Sequence, residues 1–248
     1  MVKMSSSFTP PDEFLEKAQA AGIGFEPGDL ERLEGYVAAL IEVNQVMNLT
    51  AIAEPAEVWH RHVLESLRLI GHLRAVEASS VLDLGSGGGC PGLPLAIVSP
   101  DIRMTLLEAT GKKANFLKEI SQFLELENVT VINARAENHG RFDGREMYEV
   151  VLARAVGPLN VLVELAVPLL CEGGVLVAVK GDRAEAEIAH AATALKLLGA
   201  QVQDTLRMET ATVVSVVKES PTNRLYPRRP GEPKRSPLGG KMASKSRL

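Results

Sequence analysis

A glycine-rich stretch follows a short apolar run in the first half of the chain. From Val81 to Val98 the sequence VLDLGSGGGCPGLPLAIV holds five glycines and two prolines. Glycine lets a backbone approach a ligand closely, and a loop that runs into a helix offers backbone N–H groups. Gly87-x-Gly89-x-x-Gly92 also has the spacing of a dinucleotide-binding loop. The stretch therefore predicts a loop that holds a cofactor.

An acidic residue ends the next apolar run, MTLLE. Glu108 lies 23 positions beyond Gly85. In nucleotide-binding units, an acidic residue at this place accepts hydrogen bonds from ribose hydroxyls. An adenosine-containing ligand is implied, and both a pyridine dinucleotide and S-adenosylmethionine satisfy these constraints.

The other reactive residue types form no catalytic or metal-binding pattern. The chain has two cysteines and five histidines, too few cysteines for a disulfide framework or a four-cysteine zinc site. Cys90 lies inside the glycine loop rather than opposite a substrate base, so covalent catalysis by its thiol is not expected. No metal is predicted.

The elements that must position the loop change character near Ser80. Before it, apolar residues recur at helical spacing over residues 30–41 and 55–70. After it, short apolar runs alternate with helical segments, which is typical of a mostly parallel sheet covered on both faces. The predicted strands span residues 81–84, 104–107, 129–133, 149–153, 175–179, 201–206 and 212–217, and the predicted helices between them centre on 116–124, 159–165 and 188–198.

The last two predicted strands decide between the two cofactors. Only residues 207–211 separate them, which leaves no room for a crossover helix, so they must pair as an antiparallel hairpin. A dinucleotide dehydrogenase would continue with a second set of parallel strands, whereas class I methyltransferases end in such a hairpin. S-adenosylmethionine is therefore the favoured ligand.

The charge of the chain is unevenly distributed. The net charge is -4, but nine Lys/Arg and two acids lie from Lys218 to the C-terminus, against 18 and 29 in the preceding residues. A basic segment on an acidic body suggests a local contact with a polyanion such as RNA, and a solvated, disordered tail is the alternative. We expect an N-terminal helical extension (1–75), a methyltransferase domain (76–219) and a basic C-terminal tail (220–248).

Composition also bears on location. The N-terminus lacks the apolar stretch of a signal peptide, and no run of eighteen apolar residues is present. These features predict a cytoplasmic protein with no membrane partner.

Together, these motifs resemble one family, the bacterial small-subunit ribosomal RNA methyltransferases G. The resemblance covers nearly the whole chain and is carried in order by NLTAI, RHVLESL, DLGSGGGCPGLPLAI, LLEATGKKANFL, ARAE, ARAVGPL and YPRRPGEPKRSPL. It implies an α/β, Rossmann-like class I methyltransferase fold, with a mostly parallel seven-stranded sheet that ends in an antiparallel hairpin. It also implies a monomer that methylates N7 of a guanine in the decoding region of 16S rRNA and converts S-adenosylmethionine to S-adenosylhomocysteine. The substrate is the RNA itself or the assembling 30S particle.

Arg154 and Lys180 are the polar residues expected to act on the substrate. Each follows an apolar strand at the carboxyl edge, where open α/β sheets bind ligands, and each falls in a family motif, ARAV or VKG. Arg154 could hold the methionine carboxylate of the cofactor or donate to guanine O6, and an ion pair with a carboxylate such as Glu137 is the structural alternative. Lys180 is a candidate for contact with RNA.

The remaining site residues belong to the cofactor loop and the basic segment. The predicted cofactor-binding residues are Asp83, Gly85, Ser86, Gly87, Cys90, Gly92, Glu108, Ala109, Ala136, Glu137 and Arg154. The predicted RNA-binding residues are Arg224, Tyr226, Arg228, Arg229, Lys234 and Arg235.

The expected chemistry needs little acid–base machinery. Guanine N7 carries a lone pair and no proton, so it can attack a sulfonium methyl in line without a general base, and orientation supplies much of the rate. Two other functions remain open: a methyltransferase of the same fold that acts on a small molecule or protein, and a non-catalytic nucleotide- or RNA-binding module.

Overall fold

Strands and helices alternate through the part of the chain that the structure, a computed structural model, describes, residues 8–241. The strands are Ser80–Leu84 (β1), Arg103–Glu108 (β2), Val129–Asn133 (β3), Tyr148–Arg154 (β4), Leu170–Lys180 (β5), Ala200–Arg207 (β6) and Thr212–Lys218 (β7). The α-helices are Asp12–Ala20 (α1), Asp29–Met47 (α2), Pro55–Val58 (α3), Glu65–Leu67 (α4), Ile70–Ala75 (α5), Gly92–Val98 (α6), Gly111–Phe123 (α7), Ala136–His139 (α8), Leu159–Ala166 (α9), Ala184–Leu198 (α10) and Glu232–Arg235 (α11).

The seven strands have the order β3-β2-β1-β4-β5-β7-β6. β3 runs parallel to β2, and β1 and β5 run parallel to β4, whereas β7 is antiparallel to both β5 and β6. β4 is buried along most of its length, as expected for a parallel strand covered on both faces. The predicted mostly parallel sheet with a terminal antiparallel hairpin is confirmed.

Within the described residues the chain forms two units. The first unit holds residues 8–79 and 86–133, and the second holds residues 80–85 and 134–241. The first unit therefore contains the N-terminal helices and most of the glycine loop, and the second contains Arg154, Lys180 and the basic C-terminal segment.

The helices of the first unit pack around aromatic side chains. The Phe14 and Trp59 rings lie 4.6 Å apart, and the Trp59 Nε1–H donates to the carbonyl of Phe8 at 2.9 Å. The single helix predicted over 55–70 is interrupted, because Trp59–Leu64 forms a π-helical turn between α3 and α4. This turn holds one residue more than an α-helical turn, so Trp59, Val63 and Leu64 are all buried.

The C-terminal segment of the second unit is mostly irregular but is packed on the protein. Residues 220–241, predicted to form an irregular basic tail with a solvated, disordered tail as the alternative, include α11 and bury Thr222, Pro227 and Pro233. The segment is ordered because specific polar groups of the second unit bind it, as described below.

Candidate active site

The glycine loop of the first unit is closed by hydrogen bonds within itself. The Gly89 N–H donates to the Ser86 carbonyl, and the Leu93 N–H donates to the Gly89 carbonyl, both at 2.7 Å. Gly87 and Gly89 have positive φ angles of 55° and 99°, which glycine adopts without strain. The sequence therefore folds into tight turns, and the φ of Gly89 is one that residues with a side chain rarely adopt.

The carboxylate of Glu108 fixes this loop to the end of β2. Its Oε2 accepts the Gly87 N–H at 3.0 Å and its Oε1 accepts the Thr110 N–H at 2.7 Å, while 7% of the residue is exposed. Both donors are neutral backbone groups, so neither contact pairs the carboxylate with a cation. Because a carboxylate offers about four lone-pair positions, each oxygen can still accept another hydrogen bond.

Tyr36 of α2 supports the loop from the other side. Its hydroxyl donates to the Gly88 carbonyl at 2.9 Å and lies 2.9 Å from the Cys90 Sγ. The sequence analysis missed this residue. Its spacing from Leu33, one helical turn earlier in the apolar stripe, was the signal that it points inward.

The loop backbone also lies directly against apolar side chains. A Cβ added at Gly88 would lie 2.9 Å from the Leu40 Cδ1, and one added at Gly89 would clash with the Leu93 Cδ1. The glycines thus allow a backbone path that a side chain would block. The loop lies beside the Glu108 carboxylate, which has acceptor positions left. A closely approaching backbone and such a carboxylate fit the ribose of an adenosine-containing cofactor.

His62, a residue of the motif RHVLESL, has a structural partner in the first unit. Its Nε2 lies 2.6 Å from the Thr50 Oγ1, and Thr50 belongs to the motif NLTAI. Two motifs that carry the resemblance are therefore joined by one hydrogen bond. His62 is therefore held by a hydrogen bond within the first unit.

In the second unit, the predicted cofactor residues lie on three separate elements. Asp83 is buried in β1, and a Cβ added at Gly85 would lie 3.2 Å from the Val156 Cγ2. Ala136 and Glu137 form the start of α8, and the Glu137 Oε1 accepts the Gly231 N–H at 2.7 Å. Glu137 therefore binds the C-terminal segment.

Arg154 is the last residue of β4 and is half-buried. The chain leaves the strand through Ala155, whose φ of 58° lies in the left-handed region that non-glycine residues rarely adopt. Such backbone strain is common at ligand-binding positions. The structure thus places a guanidinium at a sharp turn on the carboxyl edge of the sheet, as the sequence predicted.

Lys180, at the end of β5, is buried in a polar network. Its Nζ donates to the Gly157 carbonyl at 2.6 Å and lies 2.7 Å from the Glu187 Oε2, which also accepts the Leu159 N–H at 2.9 Å. The network fixes the segment that follows Arg154. Contact of Lys180 with RNA stays a prediction.

The predicted RNA-binding residues have two different environments. The Arg228 Nε and Nη2 donate to the two oxygens of Glu164 at 2.7 and 2.6 Å, and the Arg228 backbone N–H donates to Oε1 at 3.0 Å. The hydrogen bonds to Glu164 raise the pKa of Arg228, although burial opposes this shift. Arg224, Arg229, Lys234 and Arg235, by contrast, are exposed.

Residues 8–241 contain neither a membrane-spanning helix nor a metal-binding cluster. Over residues 8–241, no helix is long and apolar enough to cross a membrane. The same stretch brings together no group of three or more His, Cys, Asp or Glu residues that could hold a metal ion.

Comparisons with known proteins agree with this arrangement. Residues 29–214 match the family model described as rRNA small subunit methyltransferase G. The ribosomal RNA small subunit methyltransferase G of Sorangium cellulosum is 42% identical over 89% of this chain and 93% of its own length. The protein of the same name from Moorella thermoacetica is 38% identical over 88% of this chain and 93% of its own length.

Solved structures share the fold at low sequence identity. An O-methyltransferase from Bacillus cereus in complex with SAH matches with a TM-score of 0.54 and 18% identity, over 74% of this chain and 90% of its own. A methyltransferase from Geobacter sulfurreducens matches with a TM-score of 0.54 and 14% identity, over 84% of this chain and 98% of its own. The chain therefore has the Rossmann-like class I methyltransferase fold.

Proposed function

This chain belongs to the rRNA small subunit methyltransferase G family, and we propose that it methylates N7 of a guanine in the decoding region of 16S rRNA. The family resemblance found in the sequence motifs is thereby confirmed, and the chain is an rRNA methyltransferase. One observation carries the proposal on the structural side. Glu108 accepts two backbone N–H groups beside the glycine loop and keeps acceptor positions for the ribose of the methyl donor.

The methyl donor is S-adenosylmethionine, which supplies an electrophilic methyl group on a sulfonium when bound. We assign the ribose hydroxyls to Glu108, because a buried carboxylate with free lone pairs is a strong acceptor. The other proposed cofactor contacts of the first unit are Ser86, Gly87, Cys90, Gly92 and Ala109. Those of the second unit are Asp83, Gly85, Ala136, Glu137 and Arg154.

The target atom decides what the residues must do. Guanine N7 has a lone pair and no proton, so no side chain has to act as a general base. The chain contributes by orienting the base, and orientation alone is worth about 7–11 kcal/mol in well-aligned intramolecular reactions. Arg154 has five N–H donors in a rigid plane, so it can donate to guanine O6 or to the methionine carboxylate.

The C-terminal segment is proposed to meet the RNA with its exposed cations. Arg224, Arg229, Lys234 and Arg235 are exposed and can contact phosphates, whereas Arg228 holds the segment in place through Glu164. Tyr226 is half-buried and offers one ring for stacking. Phosphate contacts of this kind fix the position of an RNA without reading its sequence.

A methyl-transfer assay tests the proposed function. Donor labelled in its methyl group is incubated with hypomethylated small subunits, with naked 16S rRNA and with a protein extract. We expect label in RNA, at a position where borohydride and aniline cleave the chain, as they do at N7-methylguanine. Arg154→Ala should lower the rate at least tenfold and Arg154→Lys by less, since a lysine retains the charge without the planar fork.

The other outcomes separate the remaining functions. Label in the protein extract or in small molecules would show a methyltransferase with a different substrate. Binding of S-adenosylhomocysteine without any transfer would show a non-catalytic module. Transfer to a base position other than N7 would overturn the proposed specificity alone.

A further inference from the structure

A polar cleft in the second unit lies among residues that have no part in the proposed cofactor contacts. It has a volume of about 580 Å³ and is lined by Arg141, Arg145, Glu146, Pro221, Thr222 and Arg224. We propose that this cleft binds backbone phosphates of the substrate RNA. The inference rests on the proposed function for the identity of the RNA.

Arg145 builds the cleft by joining two segments distant in sequence. Its Nη2 donates to the Thr222 carbonyl at 2.6 Å, and its Nη1 donates to the carbonyls of Tyr226 at 2.8 Å and Gly140 at 3.3 Å. These bonds hold the start of the C-terminal segment against the loop after α8, so that Arg224 and Arg141 line the same cleft. Three of the five guanidinium N–H groups are used in this way, and two remain for a ligand.

The charges of the cleft are not balanced within it. Among the described residues, Glu146 is the one acid that lines it, and its Oε1 already accepts the Lys218 Nζ at 2.7 Å and the Thr222 N–H at 3.1 Å. Lys218 is fully buried and pairs with Glu146, whose side chain is 37% exposed. Three guanidiniums therefore line a cleft whose one described acid is already paired with Lys218, and an anion would stabilise this excess of positive charge.

Arg141 and Arg224 are the two groups of the cleft that can move toward a ligand. Both are exposed, and neither guanidinium has a hydrogen bond or ion pair to another residue in the described part of the chain, although the Arg141 backbone N–H donates to the Asn138 carbonyl at 3.1 Å. A guanidinium binds phosphate through two parallel hydrogen bonds, which gives it direction as well as strength. Arg141 and Arg224 can therefore bind two neighbouring phosphates or a single phosphate from two sides.

The residues next to these arginines favour single-stranded RNA over a free anion. Phe142 follows Arg141 and is 72% exposed, and Leu225 follows Arg224 and is 69% exposed. RNA-binding proteins use an exposed ring such as that of Phe142, beside a guanidinium, to stack an unpaired base while the charge holds the backbone, and Leu225 offers an apolar contact only. An RNA strand would cover both kinds of side chain at once.

The test compares two double variants that remove the same charge. Arg141→Gln/Arg224→Gln removes the mobile cations of the cleft, and Arg74→Gln/Arg103→Gln removes two exposed arginines of the first unit. Binding of a single-stranded oligouridylate and of hypomethylated small subunits is measured over a range of salt concentrations. We expect the cleft variant to lower the slope of log K against log salt by about one to two units and the control by much less.

The outcomes separate this proposal from the proposed function. Binding of S-adenosylhomocysteine by calorimetry should be equal in the cleft variant, the control and the unmodified protein, which also shows that each is folded. If the unmodified protein methylates RNA but both double variants show the same salt slope, the cleft proposal is wrong and the enzyme assignment stands. If the slope falls as expected but no methyl transfer occurs in any protein, the phosphate site stands and the enzyme assignment fails. Absence of RNA binding by the unmodified protein would overturn the cleft proposal.

Discussion

Two buried glutamates of this protein hold glycine- and proline-rich segments by different means. Glu108 holds the glycine loop through the neutral backbone N–H groups of Gly87 and Thr110. Glu164, which is fully buried, holds the C-terminal segment through the guanidinium and backbone N–H of Arg228. Both carboxylates anchor a loop, but only the second has its charge cancelled by its partner.

The difference separates a binding role from a structural one. A carboxylate held by neutral donors is not paired with a cation and has acceptor positions left for ligand hydroxyls. A carboxylate that binds an arginine through two parallel hydrogen bonds uses its charge and its acceptor positions within the protein. Its removal leaves the arginine without that counter-charge. Replacement of Glu164 should therefore lower the stability of the protein, whereas replacement of Glu108 should lower its affinity for the cofactor product.

The largest effect is expected at Glu164. Glu164→Ala should lower the free energy of unfolding by about 3 kcal/mol, because Arg228 is 20% exposed and would lose a buried partner. Urea unfolding followed by circular dichroism measures this loss. Glu232→Ala is the matched control, since the Glu232 carboxylate is 33% exposed, lies 3.7 Å from Arg228 and should contribute about 1 kcal/mol or less. Equal losses in the two variants would contradict the structural role of the Glu164 pair.

A smaller effect, on binding rather than stability, is expected at Glu108. Glu108→Gln removes the charge and turns one acceptor into a donor that opposes a backbone N–H. Affinity for S-adenosylhomocysteine should fall about 10- to 100-fold, the usual worth of a hydrogen bond to a charged group. Isothermal calorimetry measures the loss, with Glu119→Gln, an exposed change on α7, as the control. Unchanged affinity would show that Glu108 only shapes the loop.

The smallest effect concerns pH and a third anchor, Glu146. Burial alone would raise the pKa of Glu146, but the hydrogen bonds from Lys218 and Thr222 outweigh it and hold the pKa below its ordinary value of 4.5. Because the folded state binds the proton less readily than the unfolded state, Glu146 stabilises the fold above about pH 4.5 and this contribution is lost as the pH falls through the lowered pKa. Unfolding of the parent protein and of Glu146→Gln between about pH 6 and pH 3 should therefore converge toward the acid end. A constant difference between them would show that the carboxylate charge is not what anchors Thr222.

The features of the fold that depend on residues close together in the sequence could be predicted. The strands appear as short apolar runs and the final hairpin as two such runs with no room for a helix between them. Glu108 could be predicted because it ends an apolar run. The structure places it beside the glycine loop because adjacent parallel strands end at one edge of the sheet. Even Tyr36 had a local signal, its place in the apolar stripe of α2.

The roles of the arginines and lysines in the C-terminal segment could not be predicted from neighbouring residues. Its arginines have the same composition whether they are solvated, bind phosphate or pair with a buried acid. Arg228 and Glu164 are 64 positions apart, and the Arg145 bonds that build the cleft span 77 and 81 positions. The succession of strands and helices along the chain and the glycine loop could be inferred from the residues alone, since periodicity and turn chemistry act over a few residues. Which cations anchor the protein and which stay exposed depends on the fold, because the partner of a charge is set by tertiary contacts and not by its neighbours in the chain.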